Sequence, residues 1–212
     1  MMPGRFITLE GGEGAGKSTQ ARLLARALEE RGFEVVITRE PGGTPGAERI
    51  RELLLGVDGD GWEPRAEALL FAAARSDHVE RLVRPSLSAG KWVVCDRFLD
   101  SSRAYQGGGG GLSDEDILDL HRIGSANLLP DLTLLIEVSA EEAARRLAQR
   151  DQGFADRIGG REREYHARVG QAFARFARME PGRFACIDGN GDPQSTHGLV
   201  IAALTPLMEN SR

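Results

Sequence analysis

The residues of this chain best equipped for chemistry are Gly11-Gly12-Glu13-Gly14-Ala15-Gly16-Lys17-Ser18, with Thr19 directly after them. Glycines at this spacing let the main chain curl until successive N–H groups converge on phosphate oxygens. A helix starting at the far end adds partial positive charge at the same place. A lysine closing such a loop reaches the β- and γ-phosphates, and the hydroxyl after it coordinates Mg2+. The pattern means this only between a strand and a helix. Phe6-Ile7-Thr8-Leu9 reads as a buried strand before the loop, and Leu23, Leu24, Ala27 and Leu28 recur at helical spacing after it, until Gly32. Residues 11–19 are therefore expected to bind the phosphates of a nucleoside triphosphate, with Ser18 as a metal ligand.

Further chemistry is concentrated after later apolar runs. Trp92-Val93-Val94-Cys95 ends in Asp96-Arg97-Phe98. Asp96 is then a carboxylate opposite the phosphate loop, where the water ligands of Mg2+ are held. The stretches 39–45 and 96–111 are rich in polar and aromatic groups, which suits a second substrate beside the triphosphate. No Asn-Lys-x-Asp segment occurs, so the guanine-reading signature of a GTPase switch is missing. No cation lies between Gly11 and Gly16, and charge building on a transferred group must be met from elsewhere. Arg150 and Arg157, in an arginine-rich and glycine-broken segment, are the candidates. No histidine stands where a general base would be needed; His78 reads as a helix-surface residue. The adenine site is poorly marked, with Arg146 and the Gly189-Asn190-Gly191-Asp192 loop as weak candidates.

These groups need a scaffold, and the hydrophobic pattern supplies one. Strands are predicted at 6–9, 33–38, 92–95, 132–138 and 184–188, four of them nearly continuous apolar runs. Parallel strands covered on both faces have that appearance. Helical patterns separate them: 49–55, 67–87 with an interruption at Pro85, a segment N-capped by Ser113, one opened by a Ser139–Glu142 capping box and ending at Arg150, a run to Met179, and 199–208. The fold class is α/β, a three-layer P-loop NTPase fold with a five-stranded, mostly parallel sheet flanked by helices. One domain over 1–212 is expected, with a mobile lid-like segment at about 150–163. At 212 residues, 41% hydrophobic and 28% charged, the composition is that of an ordinary soluble protein. A net charge of −5 offers no basic field for nucleic acid, and no apolar run is long enough to span a bilayer. Cys95 and Cys186 both fall in apolar runs and read as buried thiols. With no signal peptide in view, they suggest a reducing cytoplasm.

Several segments together resemble the thymidylate kinase family, in the same order and at the same spacing over about the whole chain. They are Thr38-Arg39-Glu40-Pro41-Gly42-Gly43-Thr44, Phe71-Ala72-Ala73-Ala74-Arg75, Asp96-Arg97-Phe98, Ala104-Tyr105-Gln106-Gly107-Gly108-Gly109 and Asp156-Arg157-Ile158. The resemblance implies transfer of the ATP γ-phosphoryl group to dTMP, giving dTDP for dTTP synthesis, with Mg2+ as cofactor. It implies that Phe71 stacks on thymine, that Arg75 and Ser102 read the base edge, and that Arg97 holds the dTMP phosphate with Arg39 nearby. Tyr105 would crowd the 2′ position of the sugar, with Gln106 beside it, and Glu13 would approach the 3′-hydroxyl or the metal shell. Arg150 or Arg157 would act from a closing lid. A homodimer is implied too. The chain departs from the family pattern at Gly110, where an arginine is usual, and at Gly159, where an acidic residue is common. A nucleotide acceptor also suits the absent base. A phosphate monoester, with its second pKa near 6, is largely dianionic at pH 7, so its oxygen attacks unaided. The residues leave two alternatives open: another nucleoside monophosphate or deoxynucleoside kinase, and a P-loop binding module without turnover.

Overall fold

A computed structural model of the protein describes residues 4–56, 61–151, 158 and 161–209; the side chains of Arg150 and Asp151 lie outside that description. Among the described residues the sheet has five strands: β1 (Phe6–Glu10), β2 (Val35–Arg39), β3 (Trp92–Asp96), β4 (Leu132–Glu137) and β5 (Phe184–Asp188). Their spatial order is β2-β3-β1-β4-β5, and every pairing is parallel. The helices are α1 (Lys17–Glu29), α2 (Pro45–Leu55), α3 (Pro64–His78), α4 (Arg84–Ser88), α5 (Leu99–Ser102), α6 (Asp114–Ser125), α7 (Ala140–Asp151), α8 (Arg163–Met179) and α9 (Pro193–Glu209).

Alternation along β1 divides the core. Ile7 and Leu9 pack with Leu24 and Leu28 of α1 and Val200 and Leu204 of α9. Phe6 points the other way and packs with Phe98, Val79, Val83 and Ile117. A further cluster joins Leu135 and Phe184 to Val169, Phe173 and Phe176 of α8 and to Tyr105. Leu9 pairs with Asp96 and Glu10 with Leu135, so the glycine loop leaves β1 beside the carboxyl end of β3. That is the edge where open parallel sheets bind ligands.

Several local expectations change. The run from Glu67 is not one helix broken at Pro85. α3 ends at His78, and a π-helical turn, Val79–Val83, leads into α4. There the Arg84 N–H donates to Val79 O, and the wider turn eases the clash between the proline ring and the preceding carbonyls. Ser113 caps α6 with a reciprocal box to Asp116. At α7 only half of the expected box forms: Glu142 N–H donates to Ser139 Oγ at 3.2 Å, but Ser139 N–H goes to Asn190 Oδ1 at 2.8 Å. The Glu142 side chain turns to Arg145 and Arg146 instead. Cys95 is buried, whereas Cys186 is exposed because it lies on the outward side of an edge strand.

Candidate active site

At Gly11 and Gly14 the glycine loop is held by contacts that leave no room for a side chain. A Cβ on Gly11, at φ +136°, would sit 2.3 Å from Ile136 O, and one on Gly14, at φ +73°, would sit 2.8 Å from Ala143 O. Lys17 opens α1 and is buried; its Nζ donates to Gly11 O at 3.1 Å and to Gly12 O at 2.7 Å, folding back across the loop. Burial first and then the Arg97 charge lower the Lys17 pKa to about 8. Ser18 Oγ donates to Asp96 Oδ2 across the junction of α1 and β3. Hard oxygen donors, one hydroxyl and one carboxylate, suit Mg2+, which takes few protein ligands and keeps waters and substrate phosphates. Among the described residues there is no cluster of three or more His, Cys, Asp or Glu that could cage a metal alone.

Arg97 faces this loop from the end of β3, with a backbone φ of +71° that aims its side chain along the cleft. Its Nη1 donates to Gly11 O (3.2 Å) and Ser101 Oγ (3.1 Å), and its Nη2 to Glu13 Oε1 (2.5 Å) and Tyr105 Oη (3.2 Å). The guanidinium also lies 4.8 Å from the Tyr105 ring centre. Burial disfavours its charge, but Tyr105, Glu13, Asp96 and Glu10 outweigh that and hold its pKa above the ordinary range. The turn is anchored by buried Glu10, which accepts from Phe98 N–H at 2.8 Å and Ser101 Oγ at 2.6 Å. Behind α5, buried Asp100 takes a two-pronged contact from Arg183 at 2.6 and 2.8 Å and a third bond from Arg103 at 3.0 Å.

Arg75 is buried on α3 and fully engaged with its surroundings. Nε donates to Glu40 Oε2 at 2.7 Å, and Nη2 to Phe98 O at 3.1 Å and Ser102 Oγ at 2.8 Å. Glu40 in turn accepts from His78 Nδ1 at 2.9 Å, and His78 Nε2 lies 2.7 Å from Thr38 Oγ1. Burial opposes the Glu40 charge, but Arg75 and His78 prevail and keep its carboxyl below the usual range. His78 is thus a core residue with no exposure, contrary to its surface reading. Helical spacing gave no sign that the end of β2 covers it.

One cavity of about 770 Å³ runs between these groups. It is lined by Glu13, Gly14, Gly16, Lys17, Ser18 and Thr19 at the loop, by Asp96 and Arg97 along one side, and by Arg39, Phe71, Arg75, Ser102, Tyr105 and Gln106 beyond. Gly11 joins this set through its carbonyl, which accepts from both Lys17 and Arg97. Gly12 likewise accepts from Lys17, and Ala15 is buried beneath the loop. Arg39 is more exposed and pairs with Glu48. The structure therefore brings all of these residues together around one cavity. Arg157 and the Arg150 side chain lie outside the described residues, as does most of the lid-like segment; its Ile158 is described and lines the cavity.

Arg51, not anticipated from the sequence, and Arg146, a weak candidate there, also belong here. Arg51 lines the cavity and donates to Pro41 O at 2.8 Å. Arg146 gathers the weak adenine candidates: it donates to Ala15 O (3.3 Å), Gly189 O (2.7 Å) and Gly191 O (3.2 Å), beside a second cavity of about 540 Å³. Glu67 carries no motif, and Glu40 lies inside the segment 38–44 without a role read from it; their long-range partners reveal what both do.

Residues 9–200 match the protein family described as Thymidylate kinase. A thymidylate kinase of Rhizorhabdus wittichii is 58% identical over 207 residues, covering 98% of this chain and 100% of that protein. One from Bradyrhizobium diazoefficiens is 46% identical over 202 residues, covering 95% of this chain and 89% of that protein. The crystal structure of thymidylate kinase from Ehrlichia chaffeensis superposes with a TM-score of 0.79 at 35% identity, covering 96% of this chain and 100% of that one.

Proposed function

This chain belongs to the thymidylate kinase family, and from that premise we propose how its own residues carry out the reaction. The enzyme phosphorylates dTMP to dTDP with the γ-phosphoryl group of ATP. Main-chain N–H groups of residues 11–19 and the start of α1 would cradle the triphosphate, with Lys17 on its outer phosphates. Ser18 and Asp96 would hold Mg2+, which when bound neutralises charge on the bridging phosphate oxygens. Arg97 would take the phosphate of dTMP, and the carboxylate of Glu13 holds that guanidinium ready before the phosphate arrives. Phe71 would stack on thymine while Arg75, fixed by Glu40 and Ser102, reads its edge. Tyr105 and Gln106 would close on the sugar, with Arg39 near the acceptor phosphate. Arg150 and Arg157 would meet charge that develops in transfer. No base is required, because the acceptor oxygen is already ionised.

The observation that carries this assignment is the cavity itself. Phosphate-loop groups and a half-buried, always-charged arginine, Arg97, line one part of it, and an aromatic ring with the buried Arg75 lines another. The whole chain reads as one kinase domain with its lid at 150–163. A cytoplasmic location fits the absence, among the described residues, of any helix long and apolar enough to cross a membrane. Self-association as a homodimer is supported by large exposed apolar side chains, Leu69 on α3 and Leu118 and Ile123 on α6, two helices that pack together. ADP release measured across a panel of acceptors tests the activity. dTMP should be phosphorylated far better than dCMP, dGMP or thymidine, and equal rates would overturn the assignment.

A further inference from the structure

Arg161 begins the chain's return from the lid-like segment, and no motif singles it out. It nevertheless reaches 94 positions back along the sequence: its Nη2 donates to Glu67 Oε2 on α3. Glu67 is 3% exposed, and its other oxygen, Oε1, accepts from Gln106 Nε2 at 2.9 Å. A carboxylate only accepts hydrogen bonds, so this contact fixes which end of the Gln106 amide faces Glu67. The other end of the Arg161 fork grips Tyr165. Nη1 donates to Tyr165 Oη at 2.7 Å, and the guanidinium lies 4.6 Å from the ring centre. Tyr165 Oη then donates to Tyr105 O at 2.9 Å. Arg161 N–H also donates to Ile158 O at 3.2 Å, setting a side chain that lines the same cavity.

The Arg161 guanidinium thus reaches two parts of the cavity wall, Gln106 through Glu67 and Tyr105 through Tyr165, while its main-chain N–H bonds Ile158 in a third. We infer that Arg161 is a positioning residue for the acceptor nucleotide, acting through Glu67 and Tyr165 rather than by touching substrate. The inference rests on the reading that Phe71, Tyr105 and Gln106 form the acceptor end. Without Arg161, Glu67 would be a buried carboxylate short of its counter-charge. It would be driven to bind a proton or draw in water, and either change releases the Gln106 amide from its set orientation. The phosphate loop meets this network only at the Tyr105 hydroxyl, 3.5 Å from Glu13 Oε1, so the effect falls mainly on one substrate.

The test is steady-state ADP release with dTMP and ATP varied in turn, for Arg161→Gln, Glu67→Gln, the double variant and Arg161→Lys, with Phe71→Ala as a control. Arg161→Gln and Glu67→Gln should each raise KM for dTMP about tenfold while KM for ATP stays within about twofold. The double variant should be no worse than the poorer single one, since both act on one network. Arg161→Lys, which keeps the charge without the fork, should recover part of the loss. Should Arg161→Gln fail to fold, Arg161→Lys and Glu67→Gln provide the same comparison. If Phe71→Ala raises KM for dTMP but the Arg161 and Glu67 variants leave it unchanged, or shift both KM values alike, the inference is overturned and the acceptor reading stands. If Phe71→Ala leaves KM for dTMP unchanged, the acceptor reading fails and the inference with it.

Discussion

Glu10 ends β1 with no exposure, and its carboxyl is pushed up from 4.5 to about 7 by burial and then by the Asp100 charge, against the bond from Ser101. Between those values the folded chain keeps a proton that the unfolded chain has lost. The stability linked to this group is therefore full below about 4.5, falls as pH rises to about 7, and stays low above it. The total change is on the order of 3 kcal/mol. Glu10→Gln should flatten the fall in melting temperature between acid and neutral pH, followed by thermal denaturation across pH. A variant whose profile parallels the parent would contradict this. For Arg150 and Arg157, alanine at the residue that meets transition-state charge should cut kcat by about a hundredfold or more, with little change in KM for dTMP. Unchanged kcat in both variants would exclude that role. At this scale the sequence was legible where function is local. The run 11–19 declares itself because its residues act as neighbours. Glu40, Glu67 and Arg161 act on groups 35 to 94 positions away, and nothing in their immediate surroundings announces those contacts.

Between elements, the main lever is the chain Thr38–His78–Glu40–Arg75, which joins the end of β2 to the last turns of α3. His78→Ala would strand the buried Glu40 and Thr38, a loss of about 1–3 kcal/mol and so about 5 °C in melting temperature for a domain of this size. It should also raise KM for dTMP by loosening Arg75, with KM for ATP unchanged. Calorimetry and kinetics on the same preparation check both, and an unaffected KM for dTMP would show that Arg75 needs no such support. The elements themselves followed from local pattern wherever a continuous apolar run, a helical repeat or a cap marks them, as in β1, α1 and α6. The π-helical turn at Val79–Val83 did not, because Pro85 announces a disturbed helix without saying how it is relieved. Cys186 was misjudged for a related reason: an apolar run marks a strand but not whether it lies at the sheet edge.

For the molecule as a whole, the strand order places β1 and β3 side by side although a strand, four α-helices and a π-helical turn separate them in the chain. That adjacency, which alternation of strands and helices alone does not specify, brings Ser18 to Asp96 and Arg97 to Glu13. The exposed apolar side chains of α3 and α6 belong to this scale as well. If the proposed homodimer forms through them, Ile123→Glu should halve the mass of the parent in sedimentation or light scattering, and a parent already monomeric or an unchanged mass would contradict that proposal. On the proposed reading, the phosphate loop and the Phe71–Arg97 side hold two nucleotides end to end in one cavity. Binding of adenosine and thymidine joined 5′ to 5′ by a chain of phosphates measures it most directly. The joined compound should bind at least a hundredfold more tightly than ATP or dTMP alone, and both Lys17→Met and Phe71→Ala should remove that advantage. Affinity no better than that of ATP, or loss through only one of the two variants, would contradict the account.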